Sequence, residues 1–188
     1  SKKYKIKINN TVITLPYNSH VLAKNILLSY AICNTLGIND NTIQTQLNSF
    51  SVPSGRGNLI FKDDILIIDD TYNANYKSFQ YGIKDLLINY KNKRIIVIAG
   101  DMNDLGDLEI LEHKKLSKLL SSKNIYYVLG IGKSIKNTLN EIKFVKTKYF
   151  KNSYADLLGF YKKIKRKDDV LYLKASRSLR LERIIQQL

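Results

Sequence analysis

A layered α/β fold with a mostly parallel sheet, preceded by a mainly helical portion, is what this sequence predicts, on three observations. From residue 58 onward, short apolar runs alternate with longer stretches of helical periodicity, the order that builds strand-helix-strand crossovers. The run at 94–99 is apolar in every residue after Arg94, as a strand covered on both faces is. The run ending Ile67-Ile68 stops abruptly at Asp69-Asp70-Thr71-Tyr72-Asn73-Ala74-Asn75, which delivers polar groups to a strand's carboxyl end, where an open α/β sheet takes its ligands. The same spacing equally suits an ordinary strand-to-helix turn capped by Asp and Asn.

Taken in order, 5–8 and 12–15 alternate around Asn9-Asn10 and predict a short hairpin. Apolar residues at helical spacing (Leu22, Ile26, Leu27, Tyr30, Ala31) predict a helix over 21–36, which Gly37 stops, and a second short helix follows at 42–47. Residues 53–57, Pro-Ser-Gly-Arg-Gly, read as a hinge between a portion at 1–52 and a domain at 58–188. In that domain strands are predicted at 59–61, 65–68, 94–99, 125–129, 144–146 and 170–173. The helices between and after them fall at 76–90, 108–120, 134–139, 154–164 and 179–185.

Composition narrows the function classes. Its 188 residues are 44% hydrophobic, enough for a core, and no apolar run approaches the roughly 20 residues that span a bilayer. With no signal-peptide pattern either, the chain reads as cytoplasmic, without membrane insertion. Cys33 stands alone and excludes an internal disulfide; its apolar helical setting predicts a buried structural thiol. One cysteine and two isolated histidines, His20 and His113, give no metal-ligand spacing, so no metal site is expected. The net charge of +15 is dispersed, and the one dense run, at 162–167, falls at a predicted helix end where cations suit the dipole, so no specific nucleic-acid partner is expected. Gly130-Ile131-Gly132 lacks the third glycine of a dinucleotide loop and reads as a turn.

Four strings, in order, carry a resemblance: Pro53-Ser54-Gly55-Arg56-Gly57; Asp69 to Asn75; Gly100-Asp101-Met102-Asn103-Asp104-Leu105-Gly106 with His113 following; and Val170-Leu171-Tyr172-Leu173-Lys174-Ala175-Ser176-Arg177-Ser178. Together they resemble the Mur ligase family, in its branch that joins D-alanyl-D-alanine to UDP-N-acetylmuramoyl-tripeptide. The chain departs from that pattern at Tyr76 for proline, Asp104 for glutamate and Ala175 for glycine.

The resemblance implies a Rossmann-like C-terminal domain at 58–188, and at 1–52 the tail of a central ATPase domain. No Gly-x-x-x-x-Gly-Lys-Ser/Thr phosphate loop occurs, and the chain begins at Ser1, so it reads as the last part of a longer ligase, inactive alone. It further implies ATP with Mg²⁺, the metal's ligands lying outside this chain. Arg56 falls near the ATP phosphates, Asp70 on ribose hydroxyls and Asn25 on adenine, while Tyr72, Asn73 and Asn75 line the same cleft. Asp101, Lys174, Ser176 and Arg177 fall on the substrate side, where a carboxylate-bearing dipeptide needs cationic and hydroxyl donors. A capped, solvated final helix explains the last three residues as well. The partners so implied are UDP-N-acetylmuramoyl-tripeptide, D-alanyl-D-alanine and ATP. A related amide ligase resembling folylpolyglutamate synthase, or a non-catalytic nucleotide- or polyanion-binding module, are the alternatives.

Overall fold

The computed structural model describes residues 4–8, 11–16 and 19–188, which divide into two compact units at Val52 and Pro53. The turn expected at Asn9-Asn10 lies outside the described residues. In the first unit, β1 (Lys5–Ile8) and β2 (Thr11–Thr14) pair antiparallel, followed by α1 (His20–Thr35) and α2 (Asp40–Asn48). Both helices start at side-chain caps, Ser19 on the N–H of Leu22 and Asn39 on that of Thr42. Ile13, Leu15, Leu22, Ile26, Tyr30 and Ile43 form the unit's core. Asp40 at the start of α2 ties it together, accepting from the hydroxyls of Thr11 and Tyr30, and those bonds lower its pKa. Cys33 is half-buried rather than enclosed, because the apolar positions of α1 run all round it and only one stripe meets the hairpin.

The second unit holds a six-stranded sheet of β3 (Asn58–Lys62), β4 (Ile65–Asp69), β5 (Ile95–Gly100), β6 (Ile125–Ile131), β7 (Lys146–Phe150) and β8 (Val170–Lys174), in the order β3-β4-β8-β5-β6-β7. All neighbours are parallel except β3, which returns antiparallel along β4 through Asp63-Asp64, both at positive φ as a tight hairpin turn requires. Every residue of β4, β5 and β8 is buried, which accounts for the apolar runs that precede Asp69 in β4 and Lys174 in β8 and that fill β5. One face carries α3 (Tyr76–Asn89), α4 (Glu109–Leu120) and α5 (Ile135–Glu141), packing Phe79, Ile83, Leu86, Leu116 and Leu120 on the sheet. The other carries α6 (Tyr154–Ile164) and α7 (Glu182–Gln187) through Leu157, Leu158, Tyr161 and Ile184.

The α/β expectation with a mostly parallel sheet holds, with two elements displaced. The strand expected at 144–146 is Lys146–Phe150: Phe144 is 80% exposed at φ +63, a turn conformation, and lysines at 146 and 148 mask the alternation of an edge strand. The helix expected at 179–185 is instead a 3-10 turn at Arg177–Leu179, left-handed Arg180, then α7. Lysines of the 162–167 run meet the β3-β4 turn, Lys165 pairing with Asp63 at 3.2 Å and Lys167 with Asp64 at 3.9 Å. Among the described residues no helix is long and apolar enough to cross a membrane.

Candidate functional site

Inserting β8 between β4 and β5 brings three strand ends together: Asp69 stands opposite Leu173, and Ala99 opposite Lys174. Chain connectivity reverses here, since β4 leads through α3 to β5 while β8 arrives from β7 through α6. Such a switch point opens a crevice at the carboxyl ends of the strands.

Asp69 turns inward and binds the N–H and hydroxyl of Thr71, fixing the turn that follows β4. Asp70 lies beside it, and its Oδ2 accepts from Lys174 Nζ at 2.8 Å and from the Tyr172 hydroxyl at 2.7 Å. Lys174 also donates to the Asn73 carbonyl at 2.9 Å. A carboxylate at a strand end is ordinarily solvated when no ligand is present, but Asp70 is not. Its side chain is 21% exposed and that of Lys174 only 2%, because β8 is a central strand rather than a sheet edge. Burial raises the Asp70 pKa, opposed by the ammonium and the hydroxyl, and burial beside Asp70 pushes Tyr172 well above its ordinary value. Lys174 is therefore committed to Asp70 and Asn73, not free at an edge for an incoming substrate.

Across the same turn the Arg56 guanidinium lies 4.0 Å over the Tyr72 ring, and both residues are exposed. The Tyr72 N–H bonds to the Gly55 carbonyl, which ties the Pro53 to Gly57 loop to this strand end. Asn73 is exposed with its side chain accepting from the Ala74 N–H. Asn75 caps α3, reciprocally bonded with Ser78, so the capping explanation describes its side chain. Tyr76, at the proline position of the family's pattern, is the first residue of α3, where proline's missing N–H would cost nothing.

Behind β5, Asp101 is 8% exposed and both its oxygens are taken, Oδ1 by the Ile135 N–H and Oδ2 by the Lys133 N–H, each at 2.7 Å. Its carboxylate fills the space at Gly132, where a Cβ would stand 2.5 Å from it, at φ +125. The Gly130-Ile131-Gly132 string thus serves a turn wrapped around Asp101. Ser176 is 3% exposed; its N–H reaches the Asp101 carbonyl and its hydroxyl takes the Asn103 N–H at 2.7 Å, stitching the loops after β5 and β8 together.

Arg177 points to a cavity of about 380 Å³ lined by Arg177, Ser178, Arg180, Glu182, Arg183 and Gln186. Its Nη1 pairs with Glu182 Oε1 at 3.1 Å, while Glu182 Oε2 is shielded without a partner among the described residues. Arg180 and Arg183 lie outside the four motif strings, and Tyr172 stands inside the last of them with no site role implied there. Asn25 is exposed on α1 in the first unit. Among the described residues no three of His, Cys, Asp and Glu cluster to hold a metal ion.

His113 is buried, at 2% exposed. Its Nε2 accepts the Met102 N–H at 3.4 Å, so the proton sits on Nδ1, facing Thr138 Oγ1 at 2.8 Å. Burial lowers its pKa, against the fields of Asp101 and Glu109. The unfolded chain then takes up the proton first, so stability is full above pH 6.5 and falls as pH drops below it, by at most about 1.4 kcal/mol per unit. Melting temperatures from pH 7.5 to 5.5 are expected to decline, and His113→Gln to flatten that slope; equal slopes would remove His113 as the cause.

Residues 55–177 match the family described as Mur ligase, glutamate ligase domain. The chain belongs to the Mur ligase family. This Mur ligase chain is 34% identical over 190 residues to the UDP-N-acetylmuramoyl-tripeptide--D-alanyl-D-alanine ligase of Buchnera aphidicola subsp. Baizongia pistaciae, covering 99% of this chain and 40% of that protein. The Bacillus subtilis protein of the same name is 32% identical over 149 residues, covering 76% of this chain and 32% of its own. Among solved structures, MurF ligase from Thermotoga maritima in complex with ADP matches at TM-score 0.80 and 27% identity, over 94% of this chain and 40% of that one. MurF from Acinetobacter baumannii matches at TM-score 0.85 and 25% identity, over 99% and 41%. Folylpolyglutamate synthase from Thermotoga maritima, at TM-score 0.61 and 13% identity, shares the fold alone. This Mur ligase chain thus spans about 40% of the length of the relatives it matches over nearly its full extent.

Proposed function

We propose that this chain is the nucleotide- and dipeptide-contacting portion of an ATP-dependent ligase that joins D-alanyl-D-alanine to UDP-N-acetylmuramoyl-tripeptide in peptidoglycan precursor synthesis. Residues 1–52 would be the tail of its central ATPase domain, 53–57 the hinge and 58–188 the C-terminal domain. The observation that carries the reading is the Asp70 carboxylate at the switch-point crevice, with its hydrogen bonds on Oδ2 and the Arg56–Tyr72 pair beside it. A carboxylate accepts ribose hydroxyls well, and an exposed guanidinium is a rigid donor for phosphate oxygens.

In this assignment Asn25, Arg56, Asp70 and Tyr72 serve ATP. Arg177, with Arg180 and Arg183 around the same cavity, offers guanidinium groups suited to the dipeptide's carboxylate. Asn73 borders the crevice; Asn75, Asp101 and Ser176 would act by holding its loops, and Lys174 by holding Asp70. ATP-dependent ligation transfers the γ-phosphoryl group to a carboxylate with release of ADP, the dipeptide's amine attacks the acyl phosphate, and inorganic phosphate leaves as the amide forms, with negative charge to be stabilised at each stage. Among the described residues no cluster of His, Cys, Asp and Glu suits a metal ion, and the ligands of Mg²⁺ would lie outside this chain.

The test is ADP titration of the 188-residue chain, followed by amide chemical shifts. ADP is expected to perturb residues 69–75 and Arg56. Asp70→Asn is expected to weaken binding about tenfold or more, the scale of a hydrogen bond to a charged group. Equal affinity in wild type and Asp70→Asn would remove Asp70 from the site.

A further inference from the structure

Tyr172 lies within the apolar run of β8 and reads in sequence as core, yet it sends its hydroxyl to the candidate site. The ring is 2% exposed, and the hydroxyl donates to Asp70 Oδ2, the oxygen that Lys174 also reaches. It gets there because residue 82, in the middle of α3, is glycine. A Cβ at that position would stand 2.1 Å from the Tyr172 hydroxyl oxygen and 2.9 Å from Cζ. Glycine inside a helix is less favourable than alanine by about 1 kcal/mol, so its place in α3 needs an offsetting use. Admitting the tyrosine is that use.

We infer that Tyr172, admitted by Gly82, is a positioning residue that with Lys174 clamps Oδ2 of Asp70 and leaves Oδ1 as the oxygen for a nucleotide's ribose hydroxyl. This rests on the proposed role of Asp70 in nucleotide binding. Two donors on one oxygen stop the carboxylate from rotating, so its orientation is set before the ligand arrives, and less ordering remains to be done on binding. Both donors also favour the ionised form, the form that accepts hydroxyl hydrogens. The charged and titratable groups bearing on this cluster are Lys174 and Tyr172 from β8, Asp69 from β4 and Asp85 from α3, the last acting on Tyr172.

The experiment uses the 188-residue chain, with ADP as probe and the Asp70 carboxyl carbon followed by NMR across pH. Tyr172→Phe keeps the ring and removes only the hydroxyl. It is expected to raise the Asp70 titration midpoint and to weaken ADP binding about threefold to tenfold at pH 7, with the deficit narrowing at higher pH. Gly82→Ala, which displaces the hydroxyl while leaving Tyr172 in place, is expected to move the midpoint the same way and supplies the same answer if Tyr172→Phe does not fold. In an Asp70→Asn background, Tyr172→Phe is expected to leave ADP affinity unchanged, which a merely structural tyrosine would not do. An unmoved midpoint, or an equal loss of affinity in the Asp70→Asn background, overturns the inference. If Asp70→Asn itself leaves ADP binding intact, the nucleotide reading fails, and the clamp is then judged by the midpoint alone.

Discussion

Replacing Lys174 with methionine is expected to destabilise the second unit by about 3–5 kcal/mol, the scale of breaking a buried ion pair by removing one partner. Methionine fills much the same volume, so little of the loss is packing. What remains is Asp70, largely withdrawn from water and left with the Tyr172 hydroxyl alone, and an Asn73 carbonyl without its donor. The folded-state pKa of Asp70 already lies above its ordinary 3.8, and losing the ammonium raises it further. A raised folded pKa contributes stability that is present below the unfolded value and lost as pH rises through the folded one. The variant's deficit is therefore expected to be small near pH 4 and to grow towards pH 7. Urea melts at both pH values check this; a deficit under 1 kcal/mol, or one independent of pH, would mean that the pair adds little.

The same pair marks where sequence reading stopped. Strands β4, β5 and β8 were legible because burial on both faces leaves an unbroken apolar run, a local signal. The state of Asp70 was not legible, because its counter-charge comes from 104 residues away, and nothing local distinguishes a capped carboxylate from a solvated one. Lys174 was placed at the correct strand end, but the insertion of β8 between β4 and β5, which encloses it, is a property of topology. Gly82 did carry a signal, a lone glycine inside a helical pattern, although only the structure names the Tyr172 hydroxyl as its reason. Asp101 shows the converse: its motif was recognised and read as substrate-facing, while its oxygens are spent on the N–H groups of Lys133 and Ile135. Arg180 escaped because its left-handed backbone breaks a helical pattern that the apolar spacing of Leu179, Leu181 and Ile184 continues.

The 188-residue chain alone is expected to form no amide bond from the tripeptide precursor, D-alanyl-D-alanine, ATP and Mg²⁺. Its sequence holds no phosphate-loop motif to fix the γ-phosphoryl group, and productive positioning of reactants is worth about 7–11 kcal/mol of barrier, enough to take turnover below detection. A chimera isolates this chain's own share. Replacing the aligned 41% of Acinetobacter baumannii MurF with these residues is expected to restore ADP release that depends on both the tripeptide and the dipeptide. In that chimera Asp70→Ala is expected to lower kcat/KM for ATP about tenfold to a hundredfold, the worth of hydrogen bonds to an ionised group, and Arg177→Ala to raise KM for the dipeptide with less effect on ATP. Such a split would assign the Asp70 crevice and the Arg177 cavity to two different ligands. Equal losses for both substrates in both variants would point to folding instead, and turnover by the isolated chain above a no-protein control would require a complete active site within these residues.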